Sequence, residues 1–241
     1  MRVAGASLCI PGPRRIRLAV VGGNLRIHRQ IDALASAGAT VVDVGANIGY
    51  NAVHAARRVG PRGRVVAIEP APDNVAVLER NVAAARLSNV IVHPVAAGRE
   101  SGRRKLYLRG ETSAVNSLYP ESCYAKVTDV VEVPVAPLDD LVEGMADLVK
   151  IDVEGAELEV LEGMTRLLGA PKLSLIVEWH PKLQIMAGHD AGALPRWLLA
   201  RGWNLFTASH VRTRPCTAAD VPALTSRLLR KGRSIELVAR R

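Results

Sequence analysis

The chain has 241 residues, of which 49% are hydrophobic, and a formal net charge of +9 at pH 7. This length suits one α/β domain with a complete core, and no apolar run reaches the roughly 18 residues of a transmembrane helix. Aromatic residues make up only 3% of the chain, which leaves few stacking platforms for single-stranded nucleic acid.

The positive charge lies at the two ends of the chain. Residues 1–37 hold six basic residues and one acidic residue, and residues 208–241 hold eight basic and two acidic residues. The segment between them, 38–207, holds 18 basic and 20 acidic residues. We interpret 1–241 as one domain, with an N-terminal extension and helix, a slightly acidic cofactor-binding core and a C-terminal closing segment. The basic ends are interpreted as solvated surface, with polyanion binding as the alternative.

The cysteines and the N-terminus favour a cytoplasmic protein. Cys9, Cys123 and Cys216 are far apart, odd in number and without metal-ligand spacing, which is typical of a reduced compartment. The first residues lack the unbroken apolar stretch of a secretory signal peptide.

The first elements are short. A strand is predicted over 16–21, before Gly22 and Gly23. Apolar residues three or four apart predict an amphipathic helix over 25–37, which ends at Gly38.

The chain is organised around a strand, 41–44, that runs into a tight turn and then into a helix, 50–59. Gly45 and Gly49 have no Cβ, so the backbone can approach a ligand closely, and Asn47 tolerates left-handed dihedral angles. Such a strand–turn–helix unit binds nucleotide-type cofactors in doubly wound sheets.

The spacing in this turn argues against a dinucleotide. The dinucleotide fingerprint is G-x-G-x-x-G, whereas this turn is Gly-Ala-Asn-Ile-Gly and lacks the middle glycine that admits a pyrophosphate. A cofactor without phosphates, such as S-adenosylmethionine, is therefore favoured over nicotinamide or flavin dinucleotides.

A second strand, 65–68, ends in Glu69, which stands 24 residues after Gly45. An acid at this spacing is placed to accept hydrogen bonds from both hydroxyls of a ribose. The helix that follows is predicted over 73–87.

The middle of the chain contains shorter elements and one long loop. Strands are predicted over 90–94, 105–108 and 130–135, and a short helix over 137–141. The loop 111–128 contains Thr112, Ser113, Asn116, Ser117, Tyr119 and Tyr124. Because long irregular loops often cover binding sites, we interpret this one as a cover, with a plain surface excursion as the alternative.

The remaining elements complete a parallel sheet. A strand over 147–152 ends in Asp152, and a helix follows over 157–168. The next strand, 173–177, leads into Glu178 and His180. A helix is predicted over 193–201, and the strands 203–207 and 235–239 form a closing antiparallel pair.

The carboxyl ends of the parallel strands are predicted to share one edge of the sheet, where ligands bind in folds of this kind. Five polar residues reach this edge: Asp43, Glu69, Asp152, Glu178 and His180.

Two segments resemble the FkbM family of S-adenosylmethionine-dependent methyltransferases. They are the run from Asp43 to Gly49 and the run from Val149 to Glu157, and the stretch Glu178-Trp179-His180-Pro181 is also similar. The resemblance extends over about residues 38–207. It implies a class I methyltransferase (Rossmann-like) α/β fold, with a seven-stranded, mostly parallel sheet and helices on both faces. It also implies methylation of hydroxyl groups on small molecules such as natural products or sugars.

The resemblance suggests a role for each site residue. Gly45, Asn47 and Gly49, with Ala46 between them, would shape the methionine pocket. Glu69 would hold the ribose, and Asp43 would orient the turn or the amino-acid moiety of the cofactor.

The catalytic residues implied are Asp152, Glu178 and His180. Asp152 would stand where donor and acceptor meet, and His180, with an unperturbed pKa of about 6.5, is the better proton acceptor. Alternatively, these three residues could hold a divalent metal that lowers the pKa of the substrate hydroxyl.

Other functions are less favoured by the sequence. Amino-group methyltransferases of nucleic acids carry an Asn/Asp-Pro-Pro-aromatic motif where this chain has Asp152-Val153-Glu154-Gly155. A binding module without catalysis remains a second alternative. The partner is expected to be a small hydroxyl-bearing substrate, with no membrane association, and the sequence leaves open whether the protein is a homodimer.

Overall fold

The structure is a computed structural model that describes residues 2–3, 6–7, 9, 14–109, 115–121, 126–208 and 213–241. Cys123 and, from the predicted covering loop, Thr112, Ser113 and Tyr124 lie outside the described residues. Among the helices described, none is both long and apolar enough to cross a bilayer.

The described strands are, in chain order, β1 (Arg2–Val3), β2 (Ala6–Ser7), β3 (Thr40–Val44), β4 (Arg64–Ile68), β5 (Val90–His93), β6 (Ala96–Ala97), β7 (Gly102–Arg109), β8 (Val127–Ala136), β9 (Leu148–Ile151), β10 (Ser174–Trp179), β11 (Asn204–Ala208), β12 (Thr213–Cys216) and β13 (Ile235–Arg240). The described helices are α1 (Arg14–Leu34), α2 (Tyr50–Val59), α3 (Pro72–Ala84), α4 (Leu138–Leu141), α5 (Glu157–Glu162), α6 (Thr165–Leu168), α7 (Pro181–Met186), α8 (Ala193–Ala200) and α9 (Val221–Lys231).

The main sheet has the order β12-β11-β13-β10-β9-β3-β4-β5. The five strands from β10 to β5 are parallel, and β13, β11 and β12 continue the sheet in antiparallel fashion. The predicted parallel sheet and closing antiparallel pair are thus confirmed. The sheet has eight strands rather than the expected seven, because Thr213–Cys216 adds an edge strand. Its Pro215 disfavours a strand prediction but is tolerated at an edge, where no partner needs the missing N–H.

Helices cover both faces of the sheet, as predicted. Side chains alternate along β3, so Val42 and Val44 pack into one hydrophobic cluster with α5 and α8, whereas Val41 packs into a second cluster with α1 and α2. The carboxyl ends of the parallel strands are left between these two layers.

A separate three-stranded sheet, with the order β6-β8-β7, stands beside the main sheet. It has its own small core, in which Leu106 and Val133 pack with Ala71 and Ala156, residues that follow β4 and β9 of the main sheet. The small sheet therefore lies against the carboxyl-end edge. Only parts of two of its strands were expected from the sequence.

Two predicted elements are wrong. Residues 16–21 belong to helix α1 and not to a strand, because Gly22 and Gly23 do not break the helix. Packing of Ile27 and Ile31 against α2 outweighs the weak helix propensity of glycine. The predicted helix 157–168 is divided into α5 and α6 at Gly163 and Met164.

Gly45 allows β3 and β9 to approach each other at the sheet edge. It has a φ of +73°, and a Cβ at this position would overlap the carbonyl oxygen of Asp152. The turn after β3 is therefore closed by backbone packed on backbone, which only glycine permits.

We expect Gly45→Ala to lower the free energy of unfolding more than Gly144→Ala does. Gly144 has a similar φ of +69°, but a Cβ added there would have no atom within 4 Å. The control should lose about 1–2 kcal/mol from the left-handed conformation alone. Gly45→Ala should lose about 1–3 kcal/mol more from the overlap. Urea unfolding of both variants measures the difference, and equal losses would contradict the close approach.

Candidate functional site

A cavity of about 380 Å³ opens at the carboxyl ends of β3, β4 and β9. Five of the nine predicted site residues line it: Gly45, Ala46, Asn47, Glu69 and Asp152. The other wall comes from the small sheet and the segment after β7, through Ala96, Leu106, Ser117 and Leu118. The remaining predicted residues, Asp43, Gly49, Glu178 and His180, are not part of the lining.

Backbone hydrogen bonds hold the turn after β3 in place. The N–H groups of Gly45 and Ala46 both donate to the carbonyl oxygen of Ile68, at 3.0 Å. Asn47 has a φ of +51°, and Gly49 has a φ of +83° at the start of α2. The positive φ angles of these two residues, which asparagine and glycine tolerate, reverse the chain and direct the start of α2 toward the cavity.

Glu69 is buried, with 5% exposure, beneath this turn. Its carboxylate accepts hydrogen bonds from the backbone N–H of Asn47 at 2.8 Å, the N–H of Ala71 at 3.0 Å and the side-chain amide of Asn74 at 3.0 Å. Burial raises the pKa of Glu69, and these three donors oppose the rise. Since a carboxylate has about four acceptor positions, it retains capacity for a ligand hydroxyl.

Asp43 lies under the cavity and forms a buried ion pair with Lys150. The register places Asp43 directly opposite Lys150 on β3 and β9, and their charged atoms are 3.2 Å apart. Lys150 also donates a hydrogen bond to the carbonyl oxygen of Gly45 at 3.1 Å and lies 3.5 Å from the Asp152 carboxylate. Lys150 thus contacts Asp43 of β3, the turn after β3 and the carboxyl end of its own strand, β9.

The burial of this pair shifts the pKa values of both Asp43 and Lys150. Burial raises the pKa of Asp43, and the charge of Lys150 opposes the rise. Burial lowers the pKa of Lys150, but the charges of Asp43 and Asp152 outweigh it, so that the pKa of the lysine is raised. Lys150 stands within the motif that the sequence highlights, but its role depends on the register and was not predicted.

Three acidic side chains meet beside Lys150. The carboxylates of Asp152, Glu154 and Glu178 each offer an oxygen within 4.8 Å of the others. Burial raises the pKa of both Glu154 and Glu178, and the charge of Asp152 raises both further. The raised pKa values favour the protonated form of both glutamates, and the negative charge that remains can attract a cation.

This group differs from the predicted one, because Glu154 takes the place expected for His180. His180 follows the end of β10 and directly precedes α7, with an extended backbone (φ −114°, ψ 97°). Burial lowers the pKa of His180, which favours the neutral imidazole. No cluster of three potential metal ligands within the described ranges includes His180. Glu154 was quoted in the sequence motif, but its φ of +54° brings its side chain to the cavity in a way that spacing does not reveal.

Glu157 stabilises the loop that carries Asp152 and Glu154. Its buried carboxylate accepts hydrogen bonds from the N–H groups of Gly155 at 3.0 Å and Val153 at 3.3 Å, and from the amide of Gln184 at 2.7 Å. Burial raises its pKa to about 7. The loop after β9 is therefore held in place by a buried side chain of the protein, Glu157.

The described part of the predicted cover, residues 115–121, does face the cavity. The Ser117 hydroxyl donates to the carbonyl oxygen of Glu154 at 2.8 Å, and Asn116 accepts from the backbone N–H of Arg109 at 3.0 Å. The buried guanidinium of Arg109 donates to the carbonyl oxygens of Tyr119 and Pro120. These bonds attach the segment both to the loop after β9 and to β7.

The chain is similar in sequence to known methyltransferases. The model of the methyltransferase FkbM domain matches residues 43–204. Methyltransferase 1 of Beauveria bassiana is 31% identical over 144 residues, which are 52% of this chain and 57% of that protein. Hexuronic acid methyltransferase AglP of Haloferax volcanii is 32% identical over 142 residues, 57% of this chain and 54% of that protein. The chain thus spans little more than half the length of these two relatives.

Solved structures show the same fold. Methyltransferase FkbM from Methylobacillus flagellatus has a TM-score of 0.50 at 22% identity, covering 74% of this chain and 42% of that chain. A SAM-dependent methyltransferase from Aquifex aeolicus has a TM-score of 0.51 at 13% identity, covering 95% of this chain and 97% of that chain. The described fold is therefore that of class I methyltransferases, with an additional strand.

We expect Lys150→Met to lower the free energy of unfolding by about 3–5 kcal/mol, because it leaves the buried Asp43 without a counterion. The double variant Asp43→Asn/Lys150→Met should recover part of this loss. Arg103→Met is the control, since its pair with Glu132 is more than half exposed and should contribute less than about 1 kcal/mol. Urea unfolding measures all three variants. A loss no larger than that of the control would contradict a structural role for the pair.

Proposed function

The chain belongs to the FkbM methyltransferase family, and from this we propose that it transfers the methyl group of S-adenosylmethionine to a hydroxyl of a small molecule. The main observation in support is the position of Glu69, a buried carboxylate that lines the cavity beside a glycine-containing turn after the first parallel strand.

The charge of the cavity suits a sulfonium better than a pyrophosphate. Glu69, Asp152 and Glu154 line it, and Lys150, also in the lining, is already paired with two carboxylates. An excess of acidic groups attracts the cationic cofactor and repels a dinucleotide. This agrees with the missing middle glycine of the turn.

We assign the cofactor-binding roles as follows. Glu69 would accept a hydrogen bond from a ribose hydroxyl, and the turn at Gly45, Ala46 and Asn47 would hold the methionine part. Asp43 and Gly49 would contribute without contacting the cofactor. Asp43 would hold Lys150 in position, and Gly49 would set the start of α2. When bound, S-adenosylmethionine supplies an activated methyl group, so the protein has only to align an oxygen with it at about 3–3.5 Å.

We propose that Asp152 contacts the acceptor hydroxyl and receives its proton. Asp152 is the one predicted catalytic residue that lines the cavity. Glu154 and Glu178, whose pKa values are raised by burial, stand close enough to share that proton. His180 would then support the loop end rather than take the proton directly.

The acceptor is proposed to be a small polyol or phenol. A related protein is described as a hexuronic acid methyltransferase, which supports a sugar-like acceptor for this chain. Because the lining is acidic, it favours a neutral sugar or phenol over the ionised carboxylate of a uronic acid, and it disfavours a nucleic acid. A panel of sugars, phenols, RNA and DNA, assayed with labelled S-adenosylmethionine, tests the proposal. Transfer to nucleic acid alone would refute it.

We expect Glu69→Gln to weaken binding of S-adenosylhomocysteine about 10- to 100-fold, because hydrogen bonds to a charged group are lost. The wild type should bind the 2′,3′-dideoxy form of this ligand correspondingly more weakly than the ribose form. In the variant this preference should nearly vanish. Isothermal titration calorimetry with both ligands provides the measurement.

Glu79→Gln, on the exposed face of α3, is the matched control and should preserve the preference. If Glu69 had only a structural role, Glu69→Gln would weaken binding of both ligands equally, and the preference for the ribose form would remain. That result would refute the ribose assignment.

We expect Asp152→Asn to lower kcat about 100-fold or more through loss of the proton acceptor, with cofactor affinity within a few-fold of the wild type. His180→Ala should lower kcat less. Turnover on the acceptor found in the panel, together with calorimetry, distinguishes the two variants. If Asp152→Asn were fully active and His180→Ala inactive, the proton acceptor would be His180 and not Asp152.

The metal alternative is tested in the same assay. The ammonium of Lys150 already lies 3.5 Å from Asp152, and the raised pKa values of Glu154 and Glu178 favour protons over a metal ion. Turnover should therefore persist after chelation with EDTA. Loss of turnover that Mg²⁺ or Mn²⁺ restores would show that Asp152, Glu154 and Glu178 hold a divalent ion.

A further inference from the structure

A second groove, of about 370 Å³, lies on the edge of the main sheet opposite the cofactor cavity. Its lining includes Trp203 and Arg241, which flank the start of β11 and the end of β13. These two strand ends pair with each other and with the start of β10. The groove therefore lies at the amino ends of the parallel strands, and none of the residues assigned to the methyl-transfer site lines it.

Two arginines stack on two tryptophans in this groove. The guanidinium of Arg201 lies 3.7 Å from the ring centre of Trp197, and that of Arg241 lies 4.7 Å from the ring centre of Trp203. Stacking restrains the planar guanidinium group while leaving the N–H groups along its edge available. A guanidinium edge matches the paired oxygens of a phosphate or carboxylate.

The indole N–H of Trp203 lacks an acceptor among the described residues. Trp203 is only 2% exposed, and its Nε1 has no hydrogen-bond partner. Buried donors without partners are rare and call for an explanation. By contrast, the Nε1 of Trp179 donates to the carbonyl oxygen of Ala191 at 2.9 Å.

The charges around the groove also favour an anion. Its acidic residue, Glu162, forms an ion pair with Arg99 and is thereby neutralised. Arg201 and Arg241 form no ion pair with any described acidic residue. The C-terminal segment that supplies Arg241 has a strong excess of basic residues.

We propose that this groove binds a small organic anion through its phosphate or carboxylate group. Arg201 and Arg241 would each present a guanidinium edge to the oxygens, and the Trp203 N–H would donate a third hydrogen bond. The volume of the groove leaves room for a body beyond the anionic group. The site is separate from the cofactor cavity and does not depend on the proposed methyl transfer.

Tryptophan fluorescence tests the proposal directly, because Trp197 and Trp203 line the groove whereas Trp179 is fully buried elsewhere. The wild-type protein is titrated with inorganic phosphate, glucose 6-phosphate and citrate at low ionic strength. We expect a saturable change in emission. The three ligands distinguish a phosphate from a carboxylate and show whether the organic body contributes.

Arg201→Ala and Arg241→Ala should each weaken binding about tenfold or more, since each removes a charge-assisted contact. Trp203→Phe keeps an aromatic ring but removes the N–H, so it should weaken binding; because Trp203 is buried, the smaller ring should also lower the melting temperature, and binding is measured well below it. Arg103→Ala, on the small sheet, is the control and should bind like the wild type. Circular dichroism melting curves confirm that each variant is folded.

Absence of saturable binding by the wild type would overturn the proposal. Equal affinity in the wild type and both arginine variants would do the same, because the stacked arginines would then only cover apolar surface. Unchanged affinity in Trp203→Phe would show that the indole N–H of Trp203 does not bind the anion.

Discussion

The buried ion pair between Asp43 and Lys150 is the interaction on which the site depends. It joins the first and fourth parallel strands by a contact of 3.2 Å, and the same lysine holds the carbonyl oxygen of Gly45. Removing two charges from water costs free energy, which the attraction between them and their further hydrogen bonds must offset. The turn that lines the cavity and the strand end that carries Asp152 are thus positioned relative to each other by one side chain.

An excess of carboxylates follows from this arrangement and gives the cavity its chemistry. Lys150 is shared between Asp43 and Asp152, and among the described residues neither Glu154 nor Glu178 forms an ion pair, although the charge of Arg109 lowers the pKa of Glu154. Their raised pKa values show the cost of burying like charges together. Such a site suits a cationic ligand, whose charge relieves the repulsion.

Local patterns predicted most of the turn residues and the acid that line the cavity, but not the group of acidic side chains that meets beside Lys150. The turn from Gly45 to Gly49 and the acid Glu69 were predicted because strand, turn and spacing are properties of short segments. His180, predicted beside Asp152 and Glu178, follows the end of β10, and among the described residues it is not one of the three acidic side chains that meet there. Glu154 enters the acidic group through a left-handed backbone that no spacing rule anticipates.

The sequence by itself determined the alternation of strands and helices, the parallel sheet and the edge at which the cavity opens, because these follow from hydrophobic periodicity and turn residues. Only the tertiary structure decided which side chains meet. The register set Lys150 against Asp43, the packing of α1 on α2 overrode two glycines, and the small sheet closed the cavity. Each of these depends on contacts between residues distant in the chain, which local propensity does not encode.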